Sequence, residues 1–249
     1  MTRSIEHRPT KMWHRTSLLH HRRIWLIMTS IALFALLLIL FGYFNNVAWG
    51  TLVTAVLHTT YRLIIAYLIA LVLGILIGLL VGSSSLIDAL FPVFDILQNI
   101  PSFALIPFFI YFFGYTDQMI ILFAVSSIVW PILFAILSAI KSAHSDLNDA
   151  AAIFGASGLK RIFFYLAPLS FPAILTGSIV GIAIGWEAVI GAEIIVNAAG
   201  FGSFIRNAST TGIDQASVAG MLVILLIVFV INRLIWTPLL LESSRRYAE

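Results

Sequence analysis

The sequence predicts an all-α protein that crosses a membrane several times, because its composition and its long apolar runs suit few other folds. Apolar residues make up 61% of the 249-residue chain and charged residues only 10%, against about 45–50% and about 25% in soluble domains. The runs show no alternation of apolar and polar residues, which disfavours barrel strands. Lipid cannot satisfy free backbone groups, so spanning segments of this kind must be helices.

Six apolar runs are long enough to cross a bilayer, since about 20 residues at about 1.5 Å each span the hydrocarbon core. They cover residues 24–44, 56–81, 86–113, 119–140, 171–196 and 218–241. The first run is rich in Leu and Ile on every side and follows a basic segment, residues 1–23. We therefore expect a peripheral transmembrane helix at 24–44.

Two of the runs carry a small residue at every fourth position. In the second run these are Ala66, Ala70, Gly74, Gly78 and Gly82, and in the fifth they are Ala173, Gly177, Gly181 and Gly185. The spacing places a smooth ridge on one helix face, where another backbone can approach closely. We expect both helices to be central in the bundle, with the ridges packed within the chain.

The third run combines proline with polar side chains. It contains Pro92, Pro101 and Pro107, with Asp95, Gln98 and Asn99 between the first two. Proline removes a backbone hydrogen bond and kinks a helix, and polar groups at membrane depth are costly unless they face protein or a water-filled path. We expect a broken segment whose polar residues line the translocation pathway or an interface.

The distribution of Lys and Arg predicts that both termini are cytoplasmic. Basic residues lie before the first run, after the fourth run and after the sixth: Arg3, Arg8, Lys11, Arg15, Arg22, Arg23, Lys141, Lys160, Arg161, Arg245 and Arg246. The opposite side receives only Arg206. Because cytoplasmic loops carry the excess of Lys and Arg, we expect an N-in, C-in topology with a cytoplasmic tail at 242–249.

The loop at residues 141–168 is the longest polar interruption after the N-terminus. Ser145 or Asp146 can cap a short helix whose apolar residues Leu147, Ala150, Ala151 and Phe154 recur at helical spacing. Gly155 supplies a C-terminal stop. Ser157 can cap a second short helix, which we expect to end at Pro168. A compact, partly apolar helix-turn-helix on the cytoplasmic face is suited to docking on another protein.

The same loop resembles the EAA motif of binding-protein-dependent ABC importer permeases, which reads E-A-A, three residues, G, nine residues, I-x-L-P. Asp149, Ala150 and Ala151 stand at its first three positions, Gly155 at the glycine and Pro168 at the proline. Asp149 replaces Glu, and Tyr165 and Ala167 replace Ile and Leu.

Two further stretches are similar to the nitrate, sulfonate and taurine branch of these permeases. Prolines 92, 101 and 107, with Ala104 and Gly114, match its P…IP-x-x-A-x-x-P…G stretch, although Gln98 stands where that branch usually has Arg. Gly185-Trp186, Ala192-Glu193 and residues 200–205 match its W…AE…GLGYLI stretch. The resemblance covers the chain from residue 51 onward and implies a permease core at residues 51–241.

The resemblance implies a complete importer in the cell inner membrane. Two permease chains, either a homodimer or a heterodimer with a second permease, would form the pathway, two cytoplasmic ATPase subunits would dock on the loops, and an extracytoplasmic binding protein would deliver substrate. The expected ATPase contacts are Asp149, Ala150, Ala151, Phe154, Gly155 and Pro168. The implied substrate is a small anion such as nitrate, taurine or another sulfonate, or a vitamin precursor.

No catalytic activity or cofactor is expected in this chain. The sequence has no GxxxxGK[ST] phosphate loop, so ATP and Mg²⁺ would be bound by the partner ATPase. An intramembrane serine protease would need a histidine base on a later helix than Ser157, and the last histidine is His144. Cysteine is absent, and the histidine spacing supports no metal site.

Ionisable residues within the runs are candidates for function or pairing. Arg62 lies about six residues, roughly 9 Å, inside the outer end of its helix, and Glu193 about three residues, roughly 4.5 Å, inside the same boundary. These levels predict a structural ion pair, with snorkelling of Arg62 as the alternative. Glu187 lies deeper, beside Trp186. We expect these two residues to line the pathway, although Glu187 can instead be paired within the bundle.

A secondary transporter remains an alternative, since such proteins also use broken helices and ionisable residues near the midplane. The third run and Glu187 fit that description loosely. The sequence shows no inverted repeat, however, and ion coupling gives no reason for the motif in the 141–168 loop.

Overall fold

The computed structural model describes residues 28–29, 31–43, 48–84, 87–143, 145–211 and 214–247, and these residues form an all-α protein without strands, as predicted. In chain order the helices are α1 (Ile31–Tyr43), α2 (Trp49–Ser83), α3 (Ile87–Gln98), α4 (Ile106–Phe113), α5 (Asp117–Lys141), α6 (Ser145–Ile153), α7 (Gly158–Arg161), α8 (Ala167–Val196), α9 (Phe201–Thr211), α10 (Asp214–Ile231) and α11 (Thr237–Tyr247). A 3₁₀ turn at Ser102–Leu105 precedes α4. π-helical turns at Ile162–Leu166 and Asn232–Trp236 continue α7 into α8 and α10 into α11.

Four of the described helical stretches are long and apolar enough to cross a membrane: Trp49–Ser83, Asp117–Lys141, Gly158–Val196 and Gln215–Ser243. The pair formed by Ile87–Gln98 and Ser102–Phe113 adds a fifth if it counts as one span. These five contain the second to sixth predicted runs, apart from residue 86, which is not described. The first run, 24–44, lies partly outside the described residues, where α1 covers its second half. The six-span topology therefore stays a prediction.

Helix α5 lies at the centre of the bundle, between α2 and α8. Phe123, Ile128, Ile132 and Ile136 of α5 are fully buried. The glycine ridges of α2 and α8 both pack against α5. A Cβ at Gly74 would meet Ile132, and one at Gly78 would meet Ile136. On α8, a Cβ at Gly177 would meet Pro131, and one at Gly181 would meet Ile128. The expectation that both ridges pack within the chain is confirmed. The missing Cβ atoms let the helix backbones approach closely.

The third segment is broken, as its prolines predicted. α3 and the helical stretch Ser102–Phe113 are bent by 84° relative to each other. The break falls before Pro101, since a residue that precedes proline disfavours the α conformation. Pro92 lies inside α3, and Pro107 lies in the first turn of α4, where its missing N–H has no intrahelical partner to lose.

The prediction that Pro168 ends the second short helix is wrong. The chain stays helical from Gly158 to Val196, and Pro168 lies in the first turn of α8, directly after the π-helical turn Ile162–Leu166. A proline interrupts a helix by removing a donor and by contacting the carbonyl four residues earlier. The wider π turn changes the hydrogen-bond pattern at this point, and the helix continues through the proline. The helix that contains the fifth run therefore begins earlier than residue 171.

Candidate functional sites

The loop between α5 and α8 presents an apolar surface to solvent. Ile153 is 83% exposed and Phe154 is 89% exposed. A cavity of about 420 Å³ beside them is lined by Leu147, Ala150, Ala151, Phe154, Gly155, Ala156, Lys160, Phe164 and Tyr165. Contiguous exposed apolar side chains of this size mark a surface that contacts another protein or the membrane.

The sharp turn after α6 is built on Gly155. Its φ is +71°, and the N–H groups of Gly155 and Ala156 donate to the carbonyls of Ala152 and Ala151 at 3.0 and 2.9 Å. These are the two bonds of a Schellman motif, in which glycine takes the left-handed position without a Cβ penalty. The turn places Phe154 at the tip of the loop.

The structure brings together most of the predicted docking residues. Ala150, Ala151, Phe154 and Gly155 line the same cavity. Asp149 is exposed on α6, and Pro168 is exposed in the first turn of α8; neither lines the cavity. The docking residues predicted from the sequence did not include Lys160, Phe164 or Tyr165. These residues lie on α7 and the following π-helical turn, which the fold brings back beside α6.

The predicted pathway residues fall into two groups. Asp95, Gln98 and Asn99 are exposed at the end of α3, where Gln98 Nε2 donates to Asp95 Oδ1 at 2.8 Å and Asn99 Nδ2 donates to the Asp95 carbonyl. On α8, Trp186 is buried and its Nε1 has no hydrogen-bond partner among the described residues, while Glu187 is exposed. No hydrogen bond among the described residues joins the two groups.

Arg62 and Glu193 are in contact, and both are buried. Arg62 Nη1 donates to Glu193 Oε1 at 2.5 Å and to the Ala199 carbonyl at 2.6 Å. Its Nη2 lies 2.8 Å from Asp117 Oδ1, at the start of α5. One guanidinium thus joins α2, α5, the end of α8 and the turn that follows it. Bonds to charged partners are the stronger class of hydrogen bond.

The Glu193 carboxylate also holds the start of α9. The Gly202 N–H donates to Glu193 Oε2 at 2.9 Å, and the Phe201 N–H donates to Thr59 Oγ1 at 2.8 Å. A carboxylate at a helix N-terminus satisfies free N–H groups and suits the helix dipole. A Cβ at Gly200 would collide with Glu193 and one at Gly202 with the Ile190 carbonyl, which explains both glycines.

Comparison with known proteins agrees with this architecture and these motifs. The chain belongs to the family described as binding-protein-dependent transport system inner membrane component, whose model matches residues 70–235. That region contains the bent third segment, the loop after α5 and the Glu193 turn. The resemblance to binding-protein-dependent ABC importer permeases is thereby confirmed at the level of the family.

Curated relatives belong to the same branch. The chain is 28% identical over 141 residues to the taurine transport system permease protein of Escherichia coli strain K12, covering 57% of this chain and 51% of that protein. It is 28% identical over 175 residues to a nitrate import permease protein of Leptolyngbya laminosa, covering 70% and 63%. A bicarbonate transport system permease protein of Synechocystis is 32% identical over 129 residues, covering 51% and 46%. The chain thus spans about half to two thirds of these relatives' length.

Proposed function

We propose that this chain forms the translocation pathway of an ATP-driven importer and that a separate ATPase docks on its 141–168 loop. Family membership supports the role of permease. The observation that carries the docking role is the exposed apolar tip at Ile153 and Phe154, fixed by the Schellman turn at Gly155. An apolar tip of this size next to a basic segment suits a groove in a cytoplasmic protein better than it suits water.

The proposed topology has six spans with both termini in the cytoplasm. The Lys and Arg distribution supports it, and it places the α6 loop on the ATP side. It places the Arg62–Glu193 contact and α9 on the outer side, where an extracytoplasmic binding protein would approach. The working complex would contain two ATPase subunits and a second copy of this chain.

The proposed substrate is a small inorganic or organic anion. The relatives are described as permeases for taurine, nitrate and bicarbonate, and these compounds share a small size and an acidic group. The chain itself holds Gln98 where the branch usually has Arg, so the proposal extends only to this class. The family resemblance also implies a vitamin precursor as the alternative substrate.

The test is uptake by the purified complex in proteoliposomes. A candidate binding protein and a candidate ATPase from the same genome would be co-expressed with the chain, and radiolabelled taurine, nitrate and bicarbonate would be supplied outside. We expect uptake of at least one anion that requires ATP at the ATPase side. Uptake driven by an ion gradient without the ATPase would overturn the proposal in favour of a secondary transporter.

A further inference from the structure

A second contact joins the start of the 141–168 loop to the broken third segment. Lys141 is the last residue of α5, and its Nζ donates to Asp88 Oδ1 on α3 at 2.9 Å. The same ammonium lies 4.7 Å from the centre of the Phe91 ring, also on α3. One cation thus makes an ion pair and a cation–π contact with consecutive turns of α3.

The contact suits both helix ends but contributes little to folding. Asp88 lies in the first turn of α3 and Lys141 in the last turn of α5, where each charge complements its own helix dipole. Lys141 is 39% exposed and Asp88 is 81% exposed. Exposed ion pairs add little stability, so the contact sets a position rather than holding the fold together.

Among the described residues, helix α3 contacts α2 as well as α5. None of its residues is buried. Among the described residues, its aromatic side chains pack on α5: the ring centroids of Phe91 and Phe134 are 5.4 Å apart, and those of Phe94 and Trp130 are 6.4 Å apart. These aromatic pairs pack α3 on α5 and provide a direct route by which a movement at the end of α5 could reach α3.

The residues on α3 connect this contact with the predicted pathway. Asp88, Phe91 and Asp95 recur at i, i+3 and i+7, which places them on one side of the helix. Asp95 lies about 10 Å along the axis from Asp88, beside the 84° bend. The other end of that side bears the hydrogen bonds from Gln98 and Asn99.

We propose that Lys141 is a positioning residue that transmits movement of the docking loop to α3, through Asp88 and Phe91. The inference rests on the proposed function, because the movement originates in the ATPase. ATP binding would shift the loop, the end of α5 would follow, and Lys141 would carry α3 and its polar end between two positions. Such coupling requires that nucleotide states differ in their preference for the two positions.

The test measures the position of α3 directly. The chain has no cysteine, so Ile96→Cys on the exposed side of α3 (Ile96 is 70% exposed) provides a single reactive thiol. Its labelling rate with N-ethylmaleimide is compared in the complex without nucleotide and with a non-hydrolysable ATP analogue and Mg²⁺. We expect a several-fold change in rate with Lys141 present, and no change in the Lys141→Gln or Asp88→Asn background.

The conservative Lys141→Arg variant keeps both contacts and should retain the several-fold change. The yield of each variant and the amount of ATPase that co-purifies with it are measured. If Lys141→Gln folds poorly, Asp88→Asn is used as the variant that lacks the ion pair. A nucleotide response that is equal with and without Lys141 and Asp88 overturns the linkage alone. Failure of the unmodified chain to bind any ATPase overturns the proposed function, and this inference with it.

Discussion

Arg62 and Glu193 form a buried ion pair, and the other hydrogen bonds of Glu193 limit the substitutions that can test it. Removing one partner of a buried pair leaves an unpaired charge and costs about 3–5 kcal/mol. Glu193 also accepts the Gly202 N–H, which an arginine at that position could not do. Reversing the two charges would therefore break the α9 cap even if the ion pair re-formed.

A better test than charge reversal is to replace both charged side chains with neutral ones. Arg62→Met should lower the free energy of unfolding by about 3 kcal/mol, because it leaves the buried Glu193 carboxylate without its cation. The folded yield in detergent should fall as well. Adding Glu193→Gln should recover much of this loss, since the amide oxygen is neutral and still accepts the N–H of Gly202. Stability is followed by thermal unfolding with size-exclusion chromatography. A double variant no more stable than Arg62→Met would show that the two side chains are not energetically coupled.

Gly155 provides a second residue-scale prediction. Gly155→Val forces a β-branched residue to φ +71°, which costs about 1–2 kcal/mol or more and should reshape the turn that presents Phe154. We expect ATP-driven uptake to collapse while membrane insertion is normal.

The matched control for Gly155→Val is Gly50→Val. A Cβ at Gly50 meets no atom within 4 Å, and the residue lies in α2 without a positive φ. Uptake at the unmodified level in the Gly155→Val variant, with the ATPase still required, would contradict the role of this turn.

The sequence predicted part of this residue-scale picture. The depths of Arg62 and Glu193 were readable from helix geometry, and the EAA-like spacing indicated Gly155. Thr59, Asp117 and Gly202 were not predicted as partners, because their roles arise where three helix ends meet. Their available signals were weak: a polar residue one turn before Arg62, an acid in the first turn of α5 and a repeated glycine after Glu193.

At the scale of the element, the glycines of α8 differ in what a methyl group would meet. A Cβ at Gly177 would lie 2.8 Å from the Pro131 carbonyl oxygen and 2.9 Å from Ile132 Cα, whereas one at Gly181 would lie 3.0 Å from a methyl of Ile128 and 3.3 Å from the Ile128 carbonyl oxygen. Backbone atoms of a packed helix cannot move aside as a side chain can, so the closer backbone contacts at Gly177 should make that position the more sensitive of the two.

We predict that Gly177→Ala destabilises the chain by about 1–3 kcal/mol, as overpacking does. Gly181→Ala should destabilise the chain less than Gly177→Ala, since its contacts are longer and alanine has the better helix propensity. Thermal unfolding in detergent compares the two variants. Equal stability of both variants would mean that α8 does not approach α5 as closely as the structure has it.

The helices themselves show why proline patterns are only partly predictive. Pro101 breaks the third segment as expected, while Pro92 lies within α3 and Pro168 lies in the first turn of α8. A proline disrupts a helix where its missing N–H removes a backbone hydrogen bond and its ring clashes with the carbonyl four residues earlier. First turns and π turns reduce those costs, and the sequence alone does not show where such turns fall.

At the scale of the whole molecule, one chain offers one docking loop, whereas the proposed ATPases act as a pair. A symmetric dimer is the commonest assembly that supplies two identical sites. We predict that native mass spectrometry of the detergent-extracted complex gives two copies of this chain and two ATPase subunits. A heterodimer with a second permease would show one copy of each, and a single permease per ATPase pair would contradict the assembly.

The central claim is that the tip of the α6 loop touches the ATPase, and a site-directed cross-link tests it most directly. Because the chain has no cysteine, Ile153→Cys carries a benzophenone maleimide at the exposed tip, and Tyr61→Cys, 60% exposed on α2, carries the same group near the proposed outer side. After illumination of the assembled complex, we predict an adduct with the ATPase from residue 153 and none from residue 61. No adduct from residue 153, in a complex that still hydrolyses ATP, would contradict the account.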